Sequence, residues 1–216
     1  SRGGRTTLPS WRERYQGKYR CVRILSSYVG FRQMMTRKSR LFEESAYVNR
    51  LVEDKEFPPY AFLPGHNTHP NKPGGHGLEV IEAPVDFKNL FASKDYLFSI
   101  DLYNFGYYWE SHVGLEALWN SVGRSGIEGD FFKGLIKLGA AGVKGRLKSE
   151  KAMIGHLDRA IELFLIVQKK ERCAGGLKLE ELLLYTEDLK KKSQTFMEIV
   201  SDPCLFPPLI PKRENV

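Results

Sequence analysis

From Ser93 onward, apolar residues recur at helical rather than strand spacing. Tyr96, Leu97, Ile100 and Tyr103 predict a helix over about Lys94 to Tyr103 with Ser93 as its N-cap. Asn104-Phe105-Gly106 ends it, because Asn and Gly tolerate left-handed backbone. Residues 107–122 predict a second helix in which Tyr108, Trp109, His112, Leu115, Glu116 and Trp119 share one arc at about 100° per residue. Residues 123–129 read as a loop, and Asp130 as the cap of a helix from Phe131 to Val143. Its apolar positions are Phe132, Leu135, Ile136 and Val143, with Gly134, Gly139, Ala140, Ala141 and Gly142 between them. Each glycine costs roughly 1 kcal/mol of helix propensity relative to alanine, so this composition predicts a closely packed neighbour. Ser149 opens a further helix to about Arg172, with Met153, Ile154, Leu157, Ile161, Phe164 and Leu165 inward. Gly175-Gly176 breaks it. Leu179 to Val200 is the last helix, with Leu182, Leu183, Leu189 and Phe196 inward and Lys190-Lys191-Lys192 outward.

The flanks read differently. Leu41, Tyr47, Val48 and Leu51 among charged residues predict a short amphipathic helix over 41–56. It stops at Phe57-Pro58-Pro59, and from there to Pro84 proline and glycine are too dense for a helix or an inner strand. Tyr60 and Phe62 are anchors that favour an ordered loop. Asp86 to Phe91 suits a helical turn, and the proline-rich segment 201–216 an extended tail. No β-alternation persists and no internal repeat is present, so the expected fold is all-α, an antiparallel helical bundle or array with a long ordered Pro/Gly/His loop. The expected organisation is an N-terminal extension over 1–40, a helical domain over 41–200 and a tail over 201–216.

Charge sharpens the first of these boundaries. The net charge is +7, yet residues 1–40 hold eleven Lys and Arg against the single acid Glu13. Residues 41–216 hold 22 basic and 25 acidic residues, so the body is nearly neutral and nucleic-acid binding is expected only through residues 1–40. That segment reads as a native basic extension, as an organelle transit address, or as sequence upstream of a natural start near Met34 and Met35. Cys21, Cys173 and Cys204 are widely spaced without a C-x-x-C pair, which suits free thiols in a reducing cytoplasm or organelle matrix. No apolar run reaches the roughly 18 residues of a membrane span.

Several of these stretches together resemble a known family. Pro58-Pro-Tyr60, Leu63-Pro-Gly65, His69-Pro70 and Gly75-His76 come first. Leu102-Tyr-Asn-Phe-Gly-Tyr-Tyr-Trp-Glu-Ser-His112, Leu115-Glu-Ala-Leu-Trp119 and Phe132-Lys-Gly-Leu-Ile-Lys-Leu-Gly-Ala-Ala141 follow. In this order they resemble the domain of unknown function 309 family over roughly residues 57–166. The resemblance implies a small all-helical domain and brings no established activity. Family members often carry a second carboxylate directly after the histidine, where this chain has Val113.

The candidate chemistry centres on His112 and Glu116, one helical turn apart inside the aromatic arc. One expectation is a binding or structural module, with a pocket for a small ligand or a protein partner formed by Tyr108, Trp109, His112, Glu116, Trp119, His69 and His76. The alternative is a hydrolase, with or without a metal, in which His112 and Glu116 act as base and orienter. His66, His69 and His76 supply imidazoles for a divalent transition metal, although their spacing fits no standard zinc template. If the loop folds over the aromatic helix, His69 or His76 is expected to partner Glu116. Lys133 and Lys137 offer an anionic ligand two cations, or else form a solvated face. Glu110 lies away from the His112 arc and is expected to be exposed or to cap a neighbour. Ser111 is about 100° from His112, so a Ser/His nucleophile pair is not supported. The phosphate-loop, dinucleotide and H-E-x-x-H motifs are all missing from the sequence.

Overall fold

The helix Gly126–Arg146, here α3, is the element on which the others are laid; it packs along one neighbour on each side. The computed structural model describes residues 49–77, 85–199 and 204–212. The chain divides into two units, 1–49 and 50–216. Apart from Asn49 the first lies outside the described residues, and with it the nucleic-acid, transit and start-site expectations.

In chain order the second unit has a 3₁₀ helix Phe87–Ala92, α1 Lys94–Asn104, α2 Tyr108–Ser121, α3, α4 Glu150–Gln168, a two-stranded hairpin, α5 Leu179–Lys191 and α6 Ser193–Glu198. The fold is all-α apart from that hairpin, β1 Cys173–Ala174 antiparallel to β2 Leu177–Lys178. Ser93 caps α1 as expected, its Oγ accepting from the Tyr96 amide at 3.2 Å. Gly106, at φ +82, then turns the chain into α2. Among the described residues no helix is long and apolar enough to cross a membrane.

The glycines of α3 act as spacers. A methyl group on Gly134 would lie 2.3 Å from the Phe164 ring of α4, and one on Gly142 would lie 2.4 Å from the Tyr108 ring of α2. With this close approach on both sides, Phe131, Phe132, Leu135 and Leu138 of α3 are completely buried, as are Leu115 and Leu118 of α2 and Met153, Leu157 and Phe164 of α4.

Four boundaries differ from the sequence expectation. Helix α3 begins at Gly126, so Asp130 lies inside it rather than capping it. The Gly129 amide closes the first turn on the Ser125 carbonyl, and its missing side chain admits the Arg124 backbone. Helix α4 ends at Gln168, because the hairpin captures the following residues, with Leu179 donating back to Arg172. The predicted last helix is two, meeting at Lys192. Residues 49–56, the described part of the predicted amphipathic helix, are irregular because the Leu51 and Val52 amides are taken by the Asp101 carboxylate of α1.

The tail, residues 204–212, is extended, and Leu205, Phe206 and Leu209 of it are buried. Buried side chains satisfy its backbone. Tyr108 accepts from the Phe206 amide, Tyr185 donates to the Pro207 carbonyl, and Asn104 both donates to and accepts from Leu209.

Candidate functional site

Two buried carboxylates, one on each helix of the α1–α2 hairpin, hold down the irregular strap formed by residues 50–77. A strap without secondary structure must find partners for its amides elsewhere. Asp101 is fully buried; both oxygens accept from Leu51 N at 2.9 Å, and Oδ2 also accepts from Val52 N at 2.9 Å. Arg50 Nε lies 3.9 Å from that oxygen. Glu110 is 3% exposed, and its Oε1 accepts from Phe62 N at 2.7 Å. The same oxygen lies 3.1 Å from His76 Nε2. Oε2 of Glu110 is buried with no hydrogen-bond partner among the described residues. Both acids are pushed above the ordinary carboxylate range by burial, against the lowering effect of the amides they bind.

The loop that brings His76 to Glu110 folds on itself. Asn67 accepts from the Leu63 amide and donates to the Ala61 carbonyl, Tyr60 donates to Thr68 O at 2.6 Å, and Gly77 N returns to Pro70 O. Gly75 is required there, since a methyl group would lie 2.2 Å from the Pro70 carbonyl oxygen. The His76 ring packs edge-on against Tyr60 at 4.7 Å. Its Nδ1 lies 2.6 Å from the Gly77 carbonyl, which can only accept, so Nδ1 carries a proton.

A cleft of about 330 Å³ opens beside this pair. Its walls include Lys55 and Phe57 from the strap, Asp95 and Phe98 from α1, and Val113 and Gly114 from α2. Lys55 is tied to Asp95 at 3.3 Å and lies over the Phe98 ring. Helices α1 and α2 approach closely enough here that a methyl group on Gly114 would lie 2.5 Å from Ser99 Oγ. Val113, where the family resemblance expects a carboxylate, is part of the cleft wall.

This geometry revises several sequence expectations. The buried side of α2 carries Glu110, Ser111, Leu115, Leu118 and Tyr108, which turns it by roughly 100° from the aromatic arc. Ser111 is fully buried on that side, donating to the Ser99 carbonyl at 2.8 Å. Glu110 is therefore buried, not exposed, and it is Glu110 rather than Glu116 that receives a loop histidine. His112 and Glu116 lie 4.0 Å apart with side chains 31% and 51% exposed, so they form a surface pair outside the cleft. Burial lowers the His112 pKa below its usual value, an effect that Glu116 opposes.

The remaining candidates are dispersed. Tyr108 is in the core. His69 packs edge-on against Phe62 and Trp109 and accepts from the Asn71 amide. Trp119 is half-buried, with Arg124 and Lys133 over its ring. His66 is exposed, and among the described residues no group of three or more His, Cys, Asp or Glu is placed to hold a metal ion. The loop histidines thus do not assemble the ligand set expected of them. Sequence reasoning missed Glu110, Asp101, Ser99 and Gly114. The available signal was Gly114 itself, a costly residue in mid-helix one turn after Glu110.

This all-α unit, with a buried glutamate on its second helix paired to a loop histidine, matches a family by sequence over part of its length. Residues 96–155, from α1 into α4, match the family model described as Domain of unknown function (DUF309). Comparison with curated proteins and with solved structures returns no match.

Proposed function

We propose that the helical unit is a binding module that takes a small organic ligand in the cleft beside His76 and Glu110. The observation that carries this reading is the contrast between two buried carboxylates. Asp101 has both oxygens committed to the strap, whereas Glu110 keeps Oε2 buried and unpartnered. An unpartnered buried acceptor costs about 1–3 kcal/mol, and more when charged, so a donor supplied by a ligand is strongly favoured there. The chemistry of the walls narrows the class. Glu56, Asp95 and Glu110 outnumber Lys55, and Phe57, Phe98 and Val113 are apolar. An amine or amide on an apolar body suits both, its N–H meeting Glu110.

A panel of small amines, amides and alcohols, screened by ligand-detected NMR, tests this. A binder should lose at least tenfold in affinity in Glu110→Gln, which keeps the shape but halves the acceptor capacity. It should also lose affinity in Val113→Trp, which fills the cleft, and be indifferent to His112→Ala. If no compound shows that pattern in a folded protein, the His76–Glu110 pair is an anchor for the strap and the reading fails.

A further inference from the structure

The outer side of α2, with His112, Glu116 and Trp119, plays no part in the cleft. It forms one bank of a trough whose floor is α3 and whose other bank is α4, since α3 packs against both. Between Gly129 and Gly145 every residue of α3 is buried except Asp130, Lys133, Lys137, Ala140 and Lys144, which follow one another at three- and four-residue steps. The single open strip of the central helix therefore carries three lysines.

Around Ala140 the two banks contribute as well. His112 is seated against Gly139, where an added methyl group would lie 3.4 Å from its Cβ. His156 of α4 feels the charges of Lys137, Lys144 and His112. Lys137 and Lys144 thus flank Ala140 along the open strip, His112 adjoins it at Gly139, and His156 of α4 is within reach of the charges of all three. One carboxylate, Glu116, reaches His112, at 4.0 Å. Neither Lys137 nor Lys144 has an ion pair among the described residues. Two lysines without an ion pair raise the local potential, which Glu116 offsets only at His112 and a bound anion relieves.

We propose that the four donors surrounding Ala140, Lys137 and Lys144 with His112 and His156, form a binding site for a phosphate-type oxyanion, either free phosphate or a phosphate monoester. Lysine binds phosphate as a point charge, His156 adds a directed N–H donor, and His112, whose ring also bonds the Ile136 backbone, adds a second when protonated. Burial, with the neighbouring lysines, holds both histidines below their usual pKa, so an anion seated between them draws protons onto the rings. The site is independent of the cleft at Glu110.

The test is an NMR titration of the full chain with inorganic phosphate at pH 6.5, at constant ionic strength with chloride as the reference. The His112 and His156 ring signals should move together and saturably, with both apparent pKa values rising. Lys137→Met and Lys144→Met should each weaken binding at least tenfold. Glu116→Gln, which removes the opposing carboxylate without losing a cation, should tighten it several-fold and provides the check if a lysine variant folds poorly. Shifts equal to those in chloride, or binding unaltered by Glu116→Gln and both lysine variants, overturn the proposal. Vesicles of phosphatidylcholine with and without phosphatidic acid separate the sources. Lysine-dependent binding to phosphate and to the acidic vesicles assigns the site to a lipid headgroup, and binding to phosphate alone assigns it to a soluble ligand. Vesicle binding without phosphate binding overturns the site in favour of diffuse surface charge.

Discussion

His76 Nε2 and Glu110 Oε1 lie 3.1 Å apart, joining a loop residue to a buried helical carboxylate thirty-four positions later in the chain. Both side chains are almost wholly hidden, at 3% and 2% exposure. The pair closes the loop over α2 and leaves one carboxylate oxygen over, which makes it at once an anchor and a candidate recognition group.

Glu110→Ala strands the Phe62 amide and the His76 ring, and should destabilise the domain by about 1–3 kcal/mol. Glu110→Gln keeps an acceptor for Phe62 and should cost less. Because burial raises the Glu110 pKa, its stabilising contribution is full below the unfolded value of 4.5 and is lost as pH rises through the folded value. Denaturant melts from pH 4 to 8 should therefore fall less steeply with pH in Glu110→Gln than in the parent.

Asp101→Ala should be worse, by about 3–5 kcal/mol, since it leaves Arg50 beside an apolar gap and two strap amides without acceptors. Hydrogen exchange locates the damage. Leu51 and Val52 should lose protection in this variant while the α3 amides slow and speed only with global stability.

Two glycine substitutions should act in opposite directions. Gly142→Ala drives a methyl group into the Tyr108 ring and should destabilise by about 1–3 kcal/mol. Gly155→Ala, on the exposed side of α4 with nothing within 4 Å, should stabilise by roughly 1 kcal/mol. Thermal melts of the two read the sign directly; equal signs would mean that α3 and α2 are farther apart than described.

Acidification should weaken the trough between α2 and α4. His112 and His156 have folded pKa values below the usual 6.5, so their contribution is present above 6.5 and lost as pH falls through the depressed values. The groups facing them are Glu116, Lys137 and Lys144. His156→Gln should flatten the loss of stability below pH 6.5, measured by urea titration at pH 5.5 and 7.5.

Asn104→Ala should release the tail. Its amide makes both hydrogen bonds to Leu209, at 2.8 and 2.7 Å, and losing them leaves a buried N–H and C=O unpaired, a cost of roughly 1–3 kcal/mol. Proteolysis within 204–212 should accelerate in the variant and stay slow in the parent.

The all-α class, the positions of α1 and α2, the start of α4, the Ser93 cap and the close packing around the glycines of α3 were legible from residue periodicity and local residue type. They are local properties: a 3.6-residue repeat and a capping hydroxyl act within one or two turns. For residues 57–77, the described part of the loop, Tyr60 packs on His76 and Phe62 on Trp109, the two residues singled out as anchors. The side of α2 that turns inward was not. A wheel ranks positions by aromatic and apolar bulk, and by that measure Trp109 and Trp119 outrank Glu110, Ser111 and Gly114. The tertiary structure reversed the ranking, because α1 can approach α2 only over small side chains and the amides of the strap need a buried carboxylate. Which histidine meets which acid was settled by that rotation and by the loop's own fold, two relationships between residues tens of positions apart that no local pattern encodes.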